Sequence, residues 1–143
     1  MTQGEADALL KLEKHYRDSR QPEFPAFGGD LRIPLFSDDQ REEFVLSVRR
    51  GKIELRHNSI QMRARRTVIL ARVDVFGPPH RNPDDEVIAC PHLHYYVEGF
   101  GDRWAKPLPD LFRNPENTLD TLDVFMDFCS VATKPVFLGE LFA

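Results

Sequence analysis

Nine consecutive residues, Thr67-Val-Ile-Leu-Ala-Arg-Val-Asp-Val75, constrain this chain more than any others. They are rich in β-branched side chains and hold neither glycine nor proline, so they favour an extended strand. In a regular strand successive side chains leave on opposite faces. Ile69, Ala71, Val73 and Val75 then share one face, and Val68, Leu70, Arg72 and Asp74 share the other. An apolar strand face has to be buried, which commits the chain to a sheet with a cover over one side.

A second informative strand follows, in His92-Leu-His-Tyr-Tyr-Val97. Alternation turns Leu93, Tyr95 and Val97 toward a core and His92, His94 and Tyr96 away from it. Between the two strands runs the proline-rich connection Phe76-Gly-Pro-Pro-His-Arg-Asn-Pro-Asp-Asp85, which carries His80. Strands adjacent in sequence are usually neighbours in space, so the simplest topology pairs them antiparallel. Arg72, Asp74, His92 and His94 would then share a face. A connection of this length is longer than a plain hairpin needs, and His80 can fold back over that face.

The remaining pattern supplies the frame. Thr2-Gln-Gly-Glu5 has capping-box spacing, and Leu9, Leu12 and Tyr16 follow at helical intervals, predicting a helix over 4–18. Gln21 to Gly29 breaks it. Leu31, Ile33 and Leu35 alternate through a short strand that Pro34 would confine to a sheet edge. Phe44 to Val48 form a second strand, and Arg49-Arg-Gly-Lys52 reads as a tight turn into a third, where Ile53 and Leu55 alternate with polar neighbours. The stretch from there to Thr67 reads as a polar, basic connection. Trp104-Ala-Lys-Pro-Leu-Pro109 reads as an irregular cover. Asn117 or Thr118 caps a last helix with Leu119, Leu122, Phe125, Met126 and Cys129 on one side and Asp120, Asp123 and Asp127 outside. The expected fold is α+β: one domain over residues 1–143, a mainly antiparallel sheet of four to five strands, and a helix near each terminus.

A chain of 143 residues can bury a core without metal or disulfide staples. No stretch approaches the roughly 20 apolar residues of a membrane helix, and the N-terminal residues have neither the basic start nor the apolar centre of a secretory signal. With only Cys90 and Cys129, free thiols and a reducing, cytoplasmic setting are expected, with no membrane partner. Charge is unevenly spread. Residues 1–40 hold 5 Lys+Arg against 8 Asp+Glu, residues 41–81 hold 10 against 4, and residues 82–143 hold 4 against 11. The basic 41–81 segment beside a histidine cluster suits RNA phosphates, although it can equally pair with the acidic parts of its own fold.

Three roles fit the histidines. In a metal-independent ribonuclease one imidazole takes the ribose 2′-hydroxyl proton, another protonates the departing 5′-oxygen, and arginine stabilises the charged phosphorane. His80, His92, His94 and Tyr96 are the candidate catalytic groups, and Arg72, Arg81, Arg65 and Arg66 the candidate phosphate binders; no cofactor is required. A metal is the second role, with His80, His92, His94 and Glu98, or Asp74 as carboxylate, as ligands. His92-X-His94-X3-Glu98 matches the first half of a cupin signature, but Glu86 occupies its glycine position and no second half follows. The third role is structural: the histidines fasten the proline loop.

Pro79-His-Arg-Asn-Pro-Asp84, Cys90-Pro-His-Leu-His-Tyr95 and Glu98-Gly-Phe-Gly-Asp-Arg-Trp-Ala-Lys-Pro-Leu-Pro109 resemble a family of small bacterial proteins of unknown function. More distantly, Asp74, Pro79, His80, Pro91, His92 and His94 resemble the toxins of TumE-type toxin–antitoxin modules, which are proposed ribonucleases. Arg81 stands where that likeness expects another histidine. The resemblance implies a small endoribonuclease-like toxin component of a toxin–antitoxin or mobile-element system. The alternative is a non-enzymatic interaction protein, an antitoxin or an inhibitor of a host or phage defence complex, that meets a protein partner and keeps a structural histidine cluster.

Overall fold

A buried lysine decides where the first helix ends. In a computed structural model that describes residues 1–54 and 56–138, α1 (Gln3–Lys11) starts at the expected capping box, with Thr2 and Glu5 bonded reciprocally. It stops well short of residue 18. Leu12 is extended, and the fully buried Lys14 donates to the carbonyls of Leu9 (2.8 Å), Leu10 (3.0 Å), Leu12 (2.9 Å) and, across the core, Cys129 (2.7 Å). Carbonyls at a helix C-terminus lack intrahelical partners, and one ammonium here serves the ends of both helices. Burial pushes the Lys14 amine down to about 8.

The remaining elements are β1 (Lys14–His15), β2 (Asp30–Phe36), β3 (Glu43–Arg50), β4 (Asn58–Ala64), β5 (Val68–Asp74), β6 (His80–Arg81), β7 (Val87–Ile88), β8 (His92–Val97), β9 (Gly101–Pro107), α2 (Thr118–Phe128) and β10 (Val131–Thr133). Eight of the strands form one sheet in the order β10-β1-β2-β3-β4-β5-β8-β9, antiparallel except for β1 with β10; β6 and β7 make a separate hairpin. The fold is α+β, with a sheet larger than the four to five strands expected. Both helices cover one face: Ala6 and Leu9 of α1 and Leu122, Phe125 and Met126 of α2 join Phe44, Leu46, Ile60, Met62, Val73 and Leu93 in a single core. The opposite sheet face is polar.

The expected third strand is displaced. Residues 52–54 are a bend with Ile53 97% exposed, and Leu55 lies outside the described residues. The strand is instead β4, in the stretch read as a polar connection. Asn58, Ile60, Met62 and Ala64 alternate with Ser59, Gln61 and Arg63, and the second set points to the polar face rather than to a loop's solvent. Trp104–Pro107 likewise belongs to a regular strand, β9, and not to an irregular cover; Pro107 is tolerated at the end of an edge strand. Pro34 does not confine its strand to an edge: β2 lies between β1 and β3, and the proline is accommodated because β1 pairs with β2 at His15↔Phe36 and not beside Pro34. In β5 a bulge opposite Met62/Arg63 breaks the expected alternation, so Leu70 joins Ala71, Val73 and Val75 in the core. Asn117 caps α2 through the Asp120 amide, and both cysteines are free.

Candidate functional site

Register builds the site. Two neighbouring rows of residues cross the polar face: Arg32, Ser47, Gln61, Arg72 and His94 in one, and Asp30, Arg49, Ser59, Asp74 and His92 in the other. Each row runs through β2, β3, β4, β5 and β8. The expected antiparallel pairing of β5 with β8 is present and sets Arg72 opposite His94 and Asp74 opposite His92. Over β2 to β5 the face is a cleft of about 310 Å³ lined by Arg32, Arg49, Arg63 and Arg72, with Asp30, Ser47, His57, Ser59, Gln61 and Asp74.

The β6–β7 hairpin is fastened to β9, beyond the Asp74 side of this cleft. Asn82, 4% exposed, completes the sheet edge as a strand would: its amide donates to the Ala105 carbonyl and accepts from the Ala105 amide, both at 2.8 Å. His80 contributes its Nε2, 2.6 Å from the Arg103 carbonyl; a carbonyl only accepts, so that nitrogen carries the proton. The three imidazoles converge beneath the hairpin. His80 lies 4.6 Å from His94 and 6.1 Å from His92, centroid to centroid, and His92 lies 4.9 Å from His94.

Asp74 is the hub. Its Oδ2 sits 3.3 Å from His92 Nε2, 3.2 Å from His94 Nε2 and 3.3 Å from Arg72 Nε. Arg72 also reaches Asp102 Oδ2 (3.0 Å) and His94 Nε2 (3.0 Å), while His94 Nδ1 faces the Asp102 carbonyl at 2.9 Å. Burial acts most strongly to raise the Asp74 carboxyl, but the hydrogen bond from His92, the adjoining His94 ring, the Arg72 charge and the Ser59 hydroxyl together hold it well below the usual carboxylate range. Cys90 Sγ lies 3.4 Å from His92 Nδ1; burial first and the Asp74 charge second push its thiol up, so it is not an activated nucleophile.

The side chains singled out from sequence divide into two groups. His80, His92, His94 and Arg72 come together. His92 and His94 are 2% and 1% exposed, so Asp74 and Arg72, not these imidazoles, face the cleft. Arg81 is exposed on the hairpin, 3.9 Å from Asp85. Arg65 and Arg66 occupy the β4–β5 turn at the far end of the strands, where Arg65 pairs with Glu5 and Glu42. Tyr96 is carried off the histidine face by a register shift between Tyr95 and Val97; it packs on the core and its hydroxyl donates to the Met1 carbonyl. Glu98 is away from the cluster and accepts from the Gln3 amide at 2.6 Å. Asp102, Asn82, Ser59 and His57 enter the site without a motif to announce them. Arg49 and Arg63 were legible only as charge in the basic 41–81 segment, and Arg32 lies outside it.

Fold and site together define a small α+β protein with a helix-covered sheet whose free face carries an arginine-lined cleft ending in a buried Asp–His–His–Arg network. A family model of unknown function, DUF6978, matches residues 1–131, and the chain belongs to that family. No curated protein and no solved structure matches it. Among the described residues no helix is long and apolar enough to cross a membrane.

Proposed function

We propose that this protein binds the phosphodiester backbone of RNA in the cleft and acts on it as a small endoribonuclease-like enzyme. The observation that carries the binding half is the placement of Arg32, Arg49, Arg63 and Arg72, one from each of four adjacent strands, around a single concavity. Guanidinium groups match phosphate oxygens in pairs, and a concave lining in which four arginines outnumber Asp30 and Asp74 raises the local concentration of anions. Arg32 and Arg49 are exposed on this face, so phosphate reaches them without rearrangement of the core.

The cleavage half is supported by the histidine convergence behind Asp74, which itself lines the cleft. His80 is the imidazole suited to proton transfer with a ligand: it is half-buried, its Nε2–H is fixed by the Arg103 carbonyl, and its Nδ1 remains available. His92 and His94 stand behind Asp74 and hold it; they are positioning residues. Arg72 is placed to stabilise a phosphorane that forms beside Asp74. A toxin component of this type would arrest growth on expression.

Two measurements test this. Titration of a short single-stranded RNA into the labelled protein should shift amides of β3, β4 and β5 on the polar face, and His80→Ala should retain that binding while losing cleavage of the same RNA. Shifts confined to another surface would refute the binding site, and full cleavage by His80→Ala would refute its role.

A further inference from the structure

We propose that Asp74, His92 and His94 form a binding site for one divalent transition-metal ion of the zinc type, with its open coordination position toward the cleft. Three donor atoms converge, Asp74 Oδ2 and the two Nε2 atoms, and all lie within 4.8 Å of one another. The separations from Oδ2 to the imidazoles, 3.3 and 3.2 Å, fit the edge of a tetrahedron about 3.3 Å long that follows from metal bonds of about 2.0–2.1 Å. Two imidazole nitrogens and one carboxylate oxygen are also the donor set that such ions prefer over calcium or magnesium.

The outer contacts suit the same purpose. A ligating imidazole usually donates its other N–H to an acceptor, which fixes the ring and leaves the lone pair aimed at the metal. His94 has that partner in the Asp102 carbonyl at 2.9 Å, and His92 has the Cys90 sulfur 3.4 Å from its Nδ1. Both rings are nearly inaccessible to solvent, whereas Asp74 lines the cleft. An ion held here would keep a fourth position for water or a phosphate oxygen arriving from the cleft side.

Arg72 gives the site a distinctive behaviour. One of its terminal nitrogens lies 3.0 Å from His94 Nε2 and occupies the lone pair an ion needs, while the other is held by Asp102 Oδ2 at 3.0 Å. Loading the ion therefore displaces the guanidinium from His94, and like-charge repulsion turns it toward the cleft. Ion and phosphate binding become coupled through this one side chain. Only this coupling rests on the RNA reading; the ion site stands on its own donors.

The test titrates the purified chain with Zn²⁺ alone, and with Co²⁺, whose visible absorption reports tetrahedral nitrogen and oxygen coordination. One equivalent should bind and raise the melting temperature. Asp74→Asn and His94→Gln should each weaken binding by about 10-fold or more. Arg72→Gln should tighten it, an outcome a merely structural network does not give. His15→Gln is the control for the surface group Glu13, His15 and Asp38, and should leave affinity unchanged. No stoichiometric binding by wild type or Arg72→Gln would overturn the proposal, as would binding lost in His15→Gln but kept in Asp74→Asn. Should a variant fail to fold by circular dichroism, Arg72→Gln and wild type still decide the matter. RNA binding is read separately, so bound zinc without RNA affinity would refute the cleft reading and leave the ion site standing.

Discussion

Replacing Asp74 by Asn keeps the side chain's shape and removes its charge. The Asp74 side chain is 16% exposed, and its Oδ2 has three partners at 3.2–3.3 Å: His92, His94 and Arg72. Breaking one side of a fully buried ion pair costs about 3–5 kcal/mol, and an exposed pair about 0–1. Arg72 keeps its second carboxylate, Asp102, at 3.0 Å, and an amide can still accept one bond, so the loss should fall near 2–3 kcal/mol. For a chain of this size that lowers the melting temperature by about 10 °C. The pH dependence fixes the cause. The carboxyl is held below its unfolded value, so its contribution is complete above about pH 4 and is lost as the pH falls further, at about 1.4 kcal/mol per unit. Urea denaturation of wild type and Asp74→Asn at pH 7 and at pH 2.5 should show a gap at neutral pH that narrows by more than 1 kcal/mol in acid, about the size the linkage slope gives. A gap under about 0.5 kcal/mol at pH 7, within the range of an ordinary surface change, would refute the reasoning, and so would a gap that does not change with pH.

Lys14→Met removes the ammonium from four carbonyls and should destabilise by at least about 3 kcal/mol in urea melts, with both helix ends losing amide protection. Asn82→Ala should cost about 1–3 kcal/mol and expose the Ala105 amide to hydrogen exchange, because no other group replaces the paired bonds between hairpin and β9. Ile53→Ser should stay within about 0.5 kcal/mol of wild type, while Ile60→Ala should cost about 2–5 kcal/mol; the reverse order would return the strand to residues 52–56.

What the sequence announced and what it hid follow from local and non-local physics. The strands at 44–48 and 67–75, the capping box at Thr2 and the cap at Asn117 depend on residues close together, and each lies where the pattern put it. β4 was hidden because half its residues face a polar cleft, so Ser59, Gln61 and Arg63 imitate a loop. The shortened α1 was hidden because its stop is a lysine that also bonds Cys129, 115 residues away. At the site, the spacing of His92 and His94 placed both on one face, and the proline loop did bring His80 to them. That the two imidazoles would be buried behind Asp74, and that Arg32 and Arg49 would join Arg72 across the sheet, depends on register and on the hairpin cover. Neither is written in a local stretch. Tyr96 left the group through a single register shift, a feature that strict alternation cannot foresee.

The central claim is that the arginine cleft seats a phosphodiester chain, and the salt dependence of RNA affinity tests it most directly. Each phosphate neutralised contributes about 0.7 to the slope of log affinity against log salt for a single strand. Arg49→Glu and Arg63→Glu lie in the cleft and outside the core. The double variant should fold as wild type, bind single-stranded RNA more weakly at low salt, and show a slope shallower by about 1.4 or more. Equal affinity and an unchanged slope in the folded double variant would contradict the account.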